Sequence, residues 1–188
     1  MRLVCNGLSG KALIVALAMG WLGQAGAQQV APGASEAHDQ AIERAKTVYE
    51  AASARCDALA GTPHDICEAE AHAVRVRSEE EAGAAYKNTL SAYTKARVRI
   101  AAAYHERDKT RCAALGGNDR EVCLQQAKAI LVAAQADARA DRKAIEARLD
   151  AREEKLTAEY RVALQKCDAF AGAVKDQCVS TARTAYGK

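Results

Sequence analysis

The sequence predicts an all-α fold: antiparallel helical hairpins forming a coiled-coil-like bundle with three disulfide-stapled corners. Three observations carry this. Alanine, Glu, Lys, Arg and Gln dominate a chain that has only two prolines, Pro32 and Pro63, and all five are strong helix formers. Apolar residues recur at heptad spacing. A twelve-residue phrase bounded by cysteines is written three times.

The phrases are CDALAGTPHDIC (56–67), CAALGGNDREVC (112–123) and CDAFAGAVKDQC (167–178). Aligned on the first cysteine, Ala58, Ala114 and Ala169 coincide, as do Leu59, Leu115 and Phe170. So do Gly61, Gly117 and Gly172, and the acids Asp65, Glu121 and Asp176. An alanine follows each second cysteine by four: Ala71, Ala127, Ala182. Coincidence at so many fixed offsets marks an internal repeat.

Each phrase reads as a helix–turn–helix corner. The glycine suits C′, where a chain turns left-handed to end a helix. In the first copy Thr62 then suits an N-cap, Pro63 N1 and Asp65 N3; in the second, Asn118 and Glu121 form the same pair. The third has Ala173 at the cap and a weaker corner. Two cysteines, each about a turn from its helix end, face one another across an antiparallel hairpin, and the small alanines allow the close approach a disulfide needs. The expected pairs are Cys56–Cys67, Cys112–Cys123 and Cys167–Cys178, local pairing being the simplest of about 15 connectivities.

The seams place the helices. Ile42, Ala45, Tyr49, Ala52, Cys56 and Leu59 alternate steps of three and four. Leu149, Leu156, Tyr160, Ala163, Cys167 and Phe170 repeat the pattern, with Glu153 as its polar member. In the second copy His105 takes the seam position and Tyr104 falls out of register. With no proline between corners, 63–115 and 118–171 are each expected as one long helix, Gly83 marking the candidate break in the first. Four helices would then run up and down, corners one and three at one end and corner two at the other, the helical repeat domain spanning 37–188.

The N-terminus has a different character. Arg2 and Lys11 precede or border the apolar run ALIVALAMGWLG (12–23), and Ala25-Gly26-Ala27 follows. This is the pattern of a secretory signal peptide, residues 1–27, cleaved after Ala27. The run is shorter than the roughly 20 residues of a membrane span. Cys5 precedes it, too early to be acylated as in a lipoprotein. Residues 28–36 are expected as a flexible tail. Export to the periplasm follows, and it leaves six of the seven cysteines, an even number in an oxidising compartment.

Without Arg2 and Lys11, 25 Lys+Arg face 24 Asp+Glu. Near-neutrality removes the electrostatic support for nucleic-acid binding. Tyrosines at helical spacing are expected in the seams rather than as a stacking platform. The acidic runs SEEEA (78–82) and AREEK (151–155) read as solvated helix faces. The cysteine spacing offers no C-x-x-C, and His38, His64, His72 and His105 are expected as surface or seam residues rather than ligands. No G-x-S-x-G, P-loop or glycine-rich nucleotide turn occurs. No catalytic, cofactor-binding or metal-ligating residue is assigned, and no cofactor is expected.

The repeated C-D-x-L-x-G-x-x-x-D-x-C phrase, with its signal-like start, resembles a set of exported Ala/Lys-rich helical repeat proteins of Gram-negative bacteria, sometimes labelled TolA-like cell-envelope proteins. The resemblance covers about Tyr49 to Lys188. The corners are also similar to the twin-cysteine hairpins of mitochondrial intermembrane-space proteins, with one bridge per hairpin instead of two. The expected function is that of a non-enzymatic structural or interaction protein of the cell envelope, not an enzyme. The alternative is a periplasmic chaperone or stress-response protein gripping unfolded clients. The partner is expected to be a protein, an envelope component or a client, with self-association through the alanine seams as a further expectation.

Overall fold

The computed structural model of the chain describes residues 33–188. The expected signal peptide, and residues 28–32 of the expected tail, lie outside the described residues. Among those described, the fold is all helical. It comprises α1 (Ala34–Cys56), α2 (Thr62–Lys87), α3 (Leu90–Cys112), α4 (Gly117–Cys167) and α5 (Gly172–Tyr186). No helix is long and apolar enough to cross a membrane, among the described residues. Helix α1 begins inside the stretch expected as tail. Gly33 takes φ 89°, and the Ala37 amide donates to its carbonyl at 2.9 Å.

The three cysteine phrases are the three expected corners. Cys56–Cys67, Cys112–Cys123 and Cys167–Cys178 are bonded, each with a Cα–Cα distance of 5.6 Å. The turn chemistry differs from expectation. Each helix stops at its first cysteine, and the amide three residues on donates to that cysteine's carbonyl: Leu59 to Cys56, Leu115 to Cys112, Phe170 to Cys167. Gly61, Gly117 and Gly172 do take positive φ, at 61°, 53° and 56°, a region that penalises a Cβ. They lead into the second helix rather than closing the first. Neither Thr62 nor Asn118 caps with its side chain; both already lie inside the following helix. Because the chain leaves the first helix one turn early, Leu59 and Phe170, expected in the seam, are exposed at the corner tips beside Leu115.

The chain departs most from expectation between corners one and two. The expected 63–115 helix is two helices, and the break is at Asn88, not Gly83, which stays inside α2. Asn88 has φ 44° and ψ 44°, the left-handed cap that asparagine tolerates. Thr89 follows in an extended conformation and its Oγ1 accepts from the Ala92 amide at 3.1 Å, starting α3. Adding the repeat offset places Ala144 and Ile145 at the same point of α4. Neither residue caps, and α4 runs on unbroken for 51 residues, about 76 Å at 1.5 Å per residue.

Five helices therefore replace the expected four, and the arrangement of corners changes. Helix α2 returns along α1, α3 along α2, and the first half of α4 along α3. Each helix packs only on its neighbours in sequence, so the helices form an open single layer rather than a closed bundle. Ion pairs set the register: Arg111–Glu70 and Arg99–Glu80 join α3 to α2, and Arg97–Asp141 joins α3 to α4. Corners one and two thus share an end, and corner three lies at the far end of α4. The expected pairing of corners one and three is overturned by the extra turn at Asn88, which reverses the chain once more.

The core is thin. Beyond the cysteines it consists of alanines, Ala45, Ala71, Ala73, Ala84, Ala96, Ala127, Ala138 and Ala182, with Thr94 as a buried polar residue among them. Ala45, Tyr49, Ala52 and Cys56 keep their seam in α1, and Tyr160, Ala163 and Cys167 keep theirs in α4. Leu149 does not. Arg97, two turns into α3, meets Asp141, so α3 begins just short of Leu149, and α5 ends where Lys188 meets Glu153; no helix among the described residues covers Leu149 between them. In α3, both Tyr104 and His105 are half-buried, because that helix has a neighbour on each side. The loss of register in the second copy follows from this two-sided packing.

Candidate functional site

The disulfides build the most distinctive surface. In hairpin three, the face of the α4–α5 pair over Cys167–Cys178 is an open groove of 690 Å³, within the size range of ligand and peptide sites. Ala163 and Ala182 flank the bridge, Val174 and Ala173 close the corner end, and Lys166, Gln177 and Thr181 form the rim. Small side chains on both helices leave the floor low, and the covalent bridge holds the helices close enough for one apolar trough. Val174 is 60 % exposed, a large apolar surface given to water.

The same groove recurs in hairpin one, at 280 Å³. The repeat offset carries Ala163 onto Ala52, Lys166 onto Arg55, and Thr181 onto Glu70. It likewise carries Ala182 onto Ala71 and Ala185 onto Val74. Hairpin two differs at the equivalent positions. Asp108 stands where Ala52 and Ala163 stand, and Arg111 where Arg55 and Lys166 stand. Arg111 bridges Glu70 of hairpin one at 2.7 Å and Asp108 at 3.5 Å, while Arg107 holds Asp108 at 2.7 Å. The Arg111–Glu70 pair ties hairpins one and two into one layer.

Cys167 and Cys178 thus form the floor of one groove and Cys56 and Cys67 that of the other. Cys56, Cys112 and Cys167 are fully buried. Other residues singled out in the sequence do not converge. His38 stacks near Tyr86 with ring centroids 4.9 Å apart, His64 lies 3.4 Å from Asp65, and His72 is exposed. His105 has a buried Nδ1 without a partner. No three His, Cys, Asp or Glu side chains gather into a metal-sized cluster among the described residues. The acidic runs serve as helix faces: Glu79 and Glu81 pair with Arg75 and Arg77 one turn back, and Glu80 reaches Arg99 on α3. The Glu79 contact holds the Arg75 guanidinium's pKa above its usual value, and Lys175 is likewise raised by its bond to Asp168.

Sequence reasoning identified the bridges but not the grooves. The signal was present in the small residues at fixed offsets on both sides of each cysteine pair, Ala52 and Ala71 against Ala163 and Ala182. The polar exception is Asp108, in the second copy. No family model, curated protein or solved structure matches this chain.

Proposed function

We propose that this is an exported, periplasmic, non-enzymatic interaction protein of the cell envelope, with residues 1–27 as its signal peptide. The observation that carries the reading is the bridge-floored apolar groove of hairpin three, held away from the four-helix layer by the long α4. A groove of this shape takes an apolar helix face or extended segment of a partner protein. Three disulfides and the short apolar N-terminal run support export. Two measurements test it. Intact mass of protein recovered from the periplasm should give a chain beginning at Gln28 with three bridges. Val174→Glu, which sets a charge in the groove, should abolish capture of the envelope partner that the unaltered chain retains. A chain retaining residues 1–27, or capture unchanged by Val174→Glu, refutes the corresponding half.

A second reading, a periplasmic chaperone or stress-response protein, is favoured by the recurrence of the groove at separate places along the molecule. Two troughs offer two grips on an unfolded client. Suppression of aggregation of a reduced model substrate near stoichiometric ratio is its test; no suppression removes it.

A further inference from the structure

We infer that the outer face of α4, between Val122 and Ala140, is the docking surface of a second copy of this chain. In the first half of α4, the side turned to α3 carries buried Ala127 and Ala138 with half-buried Leu131 and Ala134. The opposite side has no neighbour among the described residues, because α4 is the edge of the layer. That side is not the charged face usual at a layer's edge. It presents Val122, Ala129, Val132, Ala133, Ala136 and Ala140, with the uncharged Gln125 and Gln126 among them and Ile130 at the flank. Ile130 and Val132 are 60 % and 53 % exposed.

The pattern is self-complementary about a two-fold axis at Leu131. Written as heptads, Ala129 and Ala133 are adjacent core positions. In an antiparallel pair Ala129 meets the partner's Ala133, Val122 meets the partner's Ala140, and Gln126, the one polar core position, meets the partner's Ala136. On one side of this seam Ile130 meets its own copy, and on the other Val132 does. The charges within the stretch avoid the centre: Lys128 points away from the seam, and Asp137 and Arg139 fall at its ends, so no like charges oppose one another. Small residues at the centre allow the close axial approach that larger pairs forbid. The new contact continues the mode by which α1, α2, α3 and α4 already pack, each antiparallel to the last through alanines.

The stretch is about 28 Å long. Two such faces bury on the order of 1,000 Å² in total, the lower range of a specific interface, so the dimer is a weak, micromolar one. In this register hairpin three of each copy extends past the other copy's corner two, and the groove on it stays open. The dimer presents two grooves at opposite ends, and its existence is independent of what they bind.

Sedimentation equilibrium of the full exported chain, with its bridges intact, should give twice the chain mass at tens of micromolar. Ile130→Glu sets two carboxylates against each other and should return the mass to that of one chain with an unchanged circular dichroism spectrum. Val132→Cys should cross-link to its own copy through a short bis-maleimide, while Val162→Cys, equally exposed on α4 but beyond the face, should not. A single-chain mass for the unaltered protein, a dimer that survives Ile130→Glu, or cross-linking at Val162→Cys alone overturns the inference. Cross-linking of Val132→Cys to a different envelope protein instead of a second copy also overturns it.

Discussion

Helix α5 should depend on its disulfide in a way the other helices do not. The bridge Cys167–Cys178 spans a sequence separation of 11, and chain-entropy reasoning gives it about 2.8 kcal/mol at 25 °C. Against that stands little else. Helix α5 has 15 residues, the length at which an isolated helix is marginal in water. It packs on α4 alone, and Ala182 is its one buried residue. Burying one methyl group contributes about 0.8 kcal/mol, well below the contribution of the bridge. The double variant Cys167→Ala/Cys178→Ala should therefore release α5 locally. In hydrogen–deuterium exchange, peptides covering 172–186 should lose protection while α1, α2 and α3 keep theirs. Cys112→Ala/Cys123→Ala should behave differently. Helix α3 has neighbours on both sides, so it should stay protected, with the whole layer destabilised by a similar ~2.8 kcal/mol. Full protection of 172–186 in the first variant, or loss spreading evenly into α1–α3, would refute the reasoning.

Further outcomes follow from the same geometry. Thr89→Ala removes the hydroxyl that caps α3 and should cost about 1 kcal/mol in chemical denaturation. Asn88→Ala with Thr89→Ile copies the sequence of α4 at that point, and small-angle scattering should then show a longer particle as α2 and α3 straighten. The bond to Lys188 holds the Glu153 carboxyl below the usual carboxylate range. Its contribution is present above that range and is lost as pH falls through the depressed value, so amide exchange at the end of α5 should rise in acid. Arg111→Met breaks the ties to Glu70 and Asp108, which are partly exposed, so its cost should stay below about 1 kcal/mol and shrink further in salt.

The sequence by itself determined the helices, the repeat and the bridges. These are local properties. Helix propensity, a cysteine pair eleven residues apart and a glycine with positive φ are all decided within a dozen residues. The break at Asn88 is equally local, and it differs in kind from Gly83. An isolated glycine weakens a helix without ending it, whereas an asparagine followed by a threonine both closes one helix and opens the next. What only the tertiary structure decided was how the helices share their faces. Ala45 and Ala138 are buried while Ala133 and Ala140 are exposed, and nothing in an alanine distinguishes them. With so small a side chain, hydrophobic pattern barely biases which face turns inward. The number of chain reversals then sets the neighbours, and one extra reversal at Asn88 placed corners one and two together, left α4 at an open edge and sent hairpin three out alone.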